Sequence, residues 1–153
     1  MKQPAFLCRL FRLLVAPVIS HGCQVWGPEA AVGKLDHPCD AEASKVQLSF
    51  LRVFAGLGKS AHSATLLREF NQLPIMYHWI KLAARQWNKL CVMDDDRMLK
   101  QAFLGSVHLY LAGCRACWVG RLLPELHTLG VVQLPSQPDQ AALLSLRVDE
   151  GEL

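Results

Sequence analysis

Apolar residues along this chain recur mainly at intervals of three and four, the period of an amphipathic α-helix. Period-two runs of β-branched residues, which would indicate strands, are missing. The pattern is clearest from Lys45 to Leu90, where two helical patterns flank a glycine-containing turn. It predicts an all-α fold, an irregular bundle of about five to six helices with no substantial sheet.

Glycine, proline and capping residues place the ends of these helices. Pro17 should kink or end the first helix, because its ring clashes with the carbonyl four residues back. Asp40 is the expected N-cap of the second, Gly56 and Gly58 stop it, and Ser63 is the expected N-cap of the third. The aspartates 94–96 are expected at the start of the fifth, where the helix dipole favours negative charge. The predicted helical segments are about 4–20, 40–56, 63–70, 74–92, 94–113 and 115–129.

The pattern also predicts one helical region, residues 1–130, with a long loop from Gly27 to Asp40 and a tail after it. The loop is rich in glycine and proline. Residues 131–153 carry two prolines, only a weak helical patch and an acidic end, so we expect this tail to be poorly ordered.

Each predicted helix has an expected inward face. The second should bury Val46, Phe50, Val53, Phe54 and Leu57. The fourth should bury a broad stripe that includes Trp79 and Trp87, which we interpret as core residues rather than as a platform for stacking bases. The fifth should bury Met98, Leu99, Ala102, Phe103, Val107 and Leu111.

Charge is distributed unevenly along the 153 residues, although the net charge is only +3. Residues 1–90 hold 11 Lys and Arg against 5 Asp and Glu, and residues 91–153 hold 5 against 8. A basic first part suits an anionic partner such as nucleic acid. The candidate phosphate contacts are the cations on the polar faces and in the turn between them: Lys45, Arg52, Lys59, Lys81, Arg85 and Lys89.

Cysteine and hydropathy patterns bear on location. The six cysteines are scattered, unlike the disulfide framework of a small secreted domain, so we expect an intracellular, reducing setting, with nucleus and cytoplasm both open. No run of 18 apolar residues exists, so no membrane partner is expected. Arg9 and Arg12 interrupt the apolar start and argue against a signal peptide.

Three short motifs resemble chemical sites. Gly56–Ser60 ends like a phosphate-binding loop but lacks the first glycine and a preceding strand, which favours a helix C-cap. Val92–Asp95 resembles a polymerase metal box, but no strands flank its aspartates. Cys114 and Cys117 have the spacing of half a zinc site; we favour two thiols, and zinc binding by them stays open.

The residues 10–90 resemble the region after the catalytic palm in LINE-type (non-LTR) retrotransposon reverse transcriptases, with a looser fit to Gly130. That family carries a Val-x-Pro-Val segment, a Tyr-Gly or similar pair and a Trp-Gly, and then a Gln-x-x-Phe-Leu-Arg helix, a basic turn and a Leu-x-Glu-Leu-Gly-x-x-Pro-Leu step. The matching residues here are Val15–Val18, His21-Gly22, Trp26-Gly27, Gln47–Arg52, Lys59-Ser60, Leu67–Phe70 and Leu73-Pro74, with Phe70-Asn71 in place of Leu-Gly.

The resemblance implies a thumb-like helical region that grips the backbones of RNA and DNA. The 153 residues contain no palm, so we expect a catalytically inactive fragment, from a truncated or decayed element or a partial gene model, that binds nucleic acid weakly and without sequence preference. The palm and fingers of a parent polymerase are further expected partners, and no cofactor, metal or small-molecule substrate is expected. The alternative is a helical protein-interaction domain with an exposed apolar patch and no role with nucleic acid.

Overall fold

Helices make up the architecture of the chain. The computed structural model describes residues 4–35, 37–134 and 138–149, and the regular structure within these ranges is helical throughout. With Pro4–Ile19 counted as one helix, they form eight α-helices, which confirms the all-α prediction and exceeds the expected number. The elements are α1 (Pro4–Leu10), a π-helical segment (Phe11–Val15), α2 (Ala16–Ile19), α3 (Cys23–Ala31), a 3-10 turn (Pro38–Asp40), α4 (Glu42–Ala55), α5 (Ser63–Glu69), α6 (Ile75–Cys91), α7 (Met98–Leu111), α8 (Trp118–Thr128) and α9 (Gln140–Ser145).

The first helix passes through Pro17 instead of ending there. Before Pro17 the helix widens into the π-helical segment, in which the Ala16 N–H bonds to the Phe11 carbonyl, five residues back. The residue four before Pro17 lies in this wider turn, where the proline ring would otherwise meet a carbonyl. The chain then turns at Gly22 in the left-handed conformation, φ 68°, before α3 begins.

The long loop expected from Gly27 to Asp40 begins later than predicted, because Gly27 and Pro28 lie inside α3. Gly27 is buried against α6, and a Cβ there would lie 3.2 Å from the Cβ of Trp79, so a larger residue would have to shift the two helices apart slightly. Pro28 has no N–H for the Gln24 carbonyl four residues back. The indole Nε1 of Trp118 donates to that carbonyl instead, at 3.0 Å.

Helix α6 is the centre of the core. It packs against α3, α4, α7 and α8, and its predicted apolar stripe is buried. Trp79 is 4% exposed and Trp87 is fully buried, which confirms that they are core residues and not a stacking platform. Their indole N–H groups donate within the chain, to Ser20 Oγ and to the Leu146 carbonyl.

The buried face of α4 differs from the predicted one. Ser44, Gln47, Leu48 and Leu51 are buried, and the two leucines pack against the α5 residues Leu66 and Leu67. The side-chain amide of Gln47 accepts from Ile75 N–H and donates to the Leu73 carbonyl, both at 3.0 Å, which fixes the rotation of the helix. The apolar residues of the predicted face are therefore exposed, except for half-buried Phe50: Val46, Val53, Phe54 and Leu57.

Helix ends agree with the predictions in part. Gly56 ends α4 in the left-handed conformation, φ 70°, as expected of a C-cap. The N-cap residues of α4, α5 and α7 are Ala41, His62 and Arg97, and none of them makes a side-chain capping hydrogen bond. Asp40, Ser63 and the aspartates 94–96 are therefore not the caps that the sequence predicts. α8 begins at Trp118, three residues later than predicted.

Helix α7 buries Phe103 and Val107 as predicted, but exposes its first turn. Met98 is 87% exposed and Leu99 is 52% exposed, whereas Lys100 between these and Phe103 is buried. Lys100 Nζ donates to the carbonyls of Leu90 and Cys91 at the end of α6. These carbonyls have no hydrogen-bond partner within α6, and the buried ammonium of Lys100 supplies one. This contact rotates the start of α7 so that Lys100, rather than Met98 or Leu99, faces inward.

The segment 131–153, for which we expect poor order, contains a short helix and buried side chains in its described part. The Asp139 side chain caps α9 by accepting from Ala142 N–H, and Leu143 and Val148 are buried in the main core. The core of the helical region therefore includes residues as late in the chain as Val148. Residues 135–137 and 150–153 of the predicted tail lie outside the described residues.

No single helix among the described residues is long and apolar enough to cross a membrane. One pair meets the length and composition test together, Ala5–Ile19 with Cys23–Ala31, and it is bent by 90°.

Candidate nucleic-acid interface

The six cations predicted to contact phosphate lie on two helices and one turn. Lys45 and Arg52 are on α4, Lys59 is in the turn after it, and Lys81, Arg85 and Lys89 are on α6. Residues four apart on a helix rise by about 6 Å per step and stay on one side. The α6 residues therefore form a row roughly 12 Å long.

The two α4 cations are engaged within the chain. Lys45 Nζ lies 2.7 Å from Glu42 Oε1 in an exposed ion pair. Arg52 is partly buried, and its guanidinium donates to the Ala61 carbonyl at 2.9 Å and to Ser63 Oγ at 3.0 Å. Arg52 thus ties the end of α4 to the start of α5, and its main contacts are structural.

The remaining predicted cations are directed more to solvent. Lys59 is exposed in the turn that Gly56 begins, and Arg85 and Lys89 are exposed on α6. Lys81 is partly buried because it lines a groove. The structure thus divides the predicted set into a row on α6, one lysine in a turn and two cations on α4.

The groove beside Lys81 has a volume of about 620 Å³. It lies between the π-helical segment, the chain from Asn71 to Pro74 and the first two turns of α6. Its basic lining residues are Arg12, His78 and Lys81, and none of its lining residues is acidic. The groove therefore continues the positive surface of α6 onto the first helix.

The pKa of His78 is lowered by its environment, which includes these charges. Burial is the largest cause that lowers the pKa of this imidazole, and the positive charges of Arg85, Lys81 and Arg12 lower it further. Among the groups of the described residues that act on His78, none is a carboxylate. Four basic groups from two helical elements thus share one electrostatic environment, which suits an anion.

Arg12 and His78 were missed by the sequence reasoning. Arg12 stood out only as a charge that interrupts an apolar run, and it is 66 residues away from His78 in sequence. A second signal for Arg12 is its position, as a cation within the residues 10–90 that resemble the reverse transcriptase family. Only the packing of the first helix near α6 brings the two residues together.

Comparisons of the chain with protein-family models, with curated proteins and with solved structures find no match.

Residues suited to metal or thiol chemistry do not converge in the described ranges, where no group of three or more His, Cys, Asp and Glu could hold a metal ion. Cys117 is the N-cap of α8, where its sulfur accepts from Gly120 N–H at 3.3 Å and lies 3.2 Å from the Cys114 carbonyl. This gives the Cys114–Cys117 spacing a structural explanation. Asp94 and Asp95 lie in an exposed turn, within 4.0 Å of Arg97 and 3.9 Å of Lys100 respectively.

Proposed function

We propose that this chain is the thumb-like, post-palm helical part of a LINE-type reverse transcriptase, without catalytic activity of its own. Its residual function is weak, sequence-nonspecific binding to the backbone of RNA or DNA. The grouping of Arg12, His78 and Lys81 along one groove, none of whose lining residues is acidic, supports this proposal most directly. Such a surface attracts phosphates, and each phosphate that it neutralises releases counterions.

The row on α6 is the proposed contact with the nucleic-acid backbone. Lys81, Arg85 and Lys89 project from one side of a rigid helix whose opposite side is buried in the core. A fixed row of charges loses less side-chain and backbone freedom on binding than charges on a mobile loop would. Lys59 in the turn after α4 is a further proposed contact, and Lys45 and Arg52 contribute less because of their internal partners.

Salt dependence tests the assignment of the α6 row. The triple variant Lys81→Ala, Arg85→Ala, Lys89→Ala loses three proposed phosphate contacts, so the plot of log affinity against log salt should flatten by about 2–3 units on an RNA–DNA duplex. A matched triple variant, Lys34→Ala, Arg68→Ala, Arg97→Ala, removes the same charge from exposed positions outside the predicted set. It should keep a slope within about 1 unit of the parent. Equal slopes for the parent and the α6 variant contradict the assignment.

The absence of catalysis is a separate part of the proposal. Its support is the resemblance, which covers the region after the palm and includes no metal-binding strand. Metal-dependent primer extension by the purified chain would overturn it. The measurement needs a template–primer duplex, Mg²⁺ and deoxynucleotides, with heat-denatured protein as the control.

The exposed stripe of α4 favours a second candidate function, a helical protein-interaction domain. Val53 is 71% exposed, Val46 44% and Phe54 39% on one side of the helix, and Leu57, just after its end, is 46% exposed. Contiguous exposed apolar residues are typical of surfaces that bind another protein. In the first proposal the same stripe would contact the palm and fingers of the parent polymerase, so salt-dependent duplex binding distinguishes the two candidates.

A further inference from the structure

The groove between the first helix and α6 has the dimensions of a small-molecule site. Its volume of about 620 Å³ lies within the roughly 300–1,000 Å³ usual for such pockets. Arg12 reaches it from the π-helical segment, and His78 and Lys81 from successive turns of α6. Positively charged and imidazole side chains from two separate elements thus meet across one cavity.

The charge around this groove is suited to an anion. No acidic residue lines the groove, although Glu69 lines an adjoining cleft that shares Arg12, Asn71 and Gln72 with it. The first turn of α6 has no acidic residue, and the one side chain shown to accept from it, Gln47 at Ile75 N–H, is uncharged. The positive end of the dipole of this 17-residue helix therefore adds to the field of the cations.

The rest of the groove is suited to a planar ring. Phe11, Leu73, Ile75 and Tyr77 supply its apolar lining, and Tyr77 is an aromatic ring one residue before His78. The Gln47 side chain is held in place by the backbone N–H of Ile75, which donates to Gln47 Oε1 at 3.0 Å and fixes the shape of this side of the groove. A ligand with a phosphate at one end and an aromatic ring at the other matches both parts.

We propose that this groove binds the phosphate monoester of a nucleotide, with the phosphate between Arg12, His78 and Lys81 and the base against Tyr77. The sequence alone predicts no small-molecule ligand. The inference deepens the proposed nucleic-acid function, on which it rests through the shared Lys81. It assigns to the groove a terminal phosphate, which carries more negative charge than a phosphodiester within a strand.

Calorimetric titrations of the full chain with three probes test the phosphate and base parts separately. Adenosine monophosphate should bind with an affinity at least tenfold higher than that of adenosine, and also higher than that of inorganic phosphate. Equal binding of adenosine and adenosine monophosphate would contradict a phosphate site. No binding of adenosine monophosphate at low salt would overturn the proposal altogether.

Variants then locate the binding. Arg12→Ala and Lys81→Ala should each weaken adenosine monophosphate binding by roughly tenfold, since each removes one charge-assisted contact. Arg68→Ala, which removes an exposed cation outside the groove, should leave it unchanged. The two groove variants lie on different helices, so a folding defect in one leaves the other informative. Unchanged affinity in a folded groove variant contradicts the site.

Lys89→Ala separates this inference from the proposed function. Lys89 belongs to the α6 row but does not line the groove, so its variant should flatten the salt slope for the duplex without changing adenosine monophosphate affinity. Failure of mononucleotide binding with an intact duplex response would reject the groove alone. Failure of the duplex response with intact mononucleotide binding would reject the α6 row alone.

Discussion

Asn88 and Val148 form a reciprocal pair of hydrogen bonds. Asn88 Nδ2 donates to the Val148 carbonyl at 2.9 Å, and Val148 N–H donates to Asn88 Oδ1 at 3.0 Å. The Asn88 amide side chain thus satisfies both the N–H and the C=O of Val148, as a neighbouring β-strand would. Next to this pair, Trp87 Nε1 donates to the Leu146 carbonyl at 3.2 Å. Adjacent residues of α6 therefore anchor the segment that the sequence predicted to be poorly ordered.

Replacing Asn88 by Ala should release the end of the chain. Two part-buried hydrogen bonds are lost, so we expect the free energy of unfolding to fall by about 1–2 kcal/mol. Hydrogen exchange of the Val148 amide should accelerate more than exchange within α6. Lys89→Ala, at the neighbouring exposed position, is the control and should change stability by less than about 0.5 kcal/mol. Full protection of the Val148 amide in the Asn88 variant would contradict this role.

Arg52 should contribute to stability more than to nucleic-acid binding. Arg52→Ala removes the bonds to Ala61 and Ser63, and we expect urea denaturation to show a loss of about 1–2 kcal/mol. Lys45→Ala removes only an exposed ion pair with Glu42, so it should lower stability less than Arg52→Ala does. If the two variants are equally stable and only Arg52→Ala weakens duplex binding, the structural role is contradicted. The sequence-based prediction that Arg52 contacts phosphate would then be supported.

Lys100 should be essential to the junction of α6 and α7. Lys100→Met keeps the apolar stem but removes the donor to the Leu90 and Cys91 carbonyls, leaving two terminal carbonyls of α6 without it. We expect a loss of about 2 kcal/mol in thermal or urea unfolding, since hydrogen bonds to charged groups contribute more than neutral ones. Lys89→Met on the exposed side of α6 is the matched control. A Lys100→Met variant as stable as this control would show that burial of the stem is sufficient.

Helical periodicity predicted the elements well where a helix is covered on one clear side. The stripe of α6 from Ile75 to Leu90 is apolar at every inward position, and its interior location followed from the pattern. On α4 the pattern favoured the wrong face, because apolar residues lie on both sides and a buried polar residue, Gln47, decides the rotation. A pattern of apolar residues does not indicate that a polar side chain is buried because it bonds to the backbone of a distant loop.

The candidate site was predictable only in part. The row of Lys81, Arg85 and Lys89 is visible from spacing alone, since the three share one helix. The internal partners of Arg52 and the contribution of Arg12 depend on tertiary packing, which joins residues distant in sequence. The sequence gives only a weak helical pattern at α9. This helix is stabilised by the burial of Leu143 and by the bonds between α6 and the residues after it, rather than by its own periodicity.

His78 should make the stability of the protein depend on pH. Its folded-state pKa lies below its ordinary value of about 6.5, mainly through burial and then through Arg85, Lys81 and Arg12. Between these two pKa values the unfolded chain binds a proton that the folded chain does not, so the free energy of unfolding falls as pH falls below about 6.5. His78→Gln should remove this loss, and the difference between variant and parent should grow from pH 7 to pH 5 in urea titrations.

The charges around His78 supply the control for that experiment. Lys81→Met removes one of the charges that lower the pKa of His78, so in this background His78→Gln should have a smaller effect at pH 5 than in the parent. Arg68→Met, outside the groove, should leave the effect unchanged. Bound phosphate would oppose the same charges and raise the pKa of His78, so adding adenosine monophosphate should also reduce the loss at low pH. A His78→Gln effect that does not vary with pH, or that is insensitive to Lys81, would contradict the electrostatic grouping on which the groove depends.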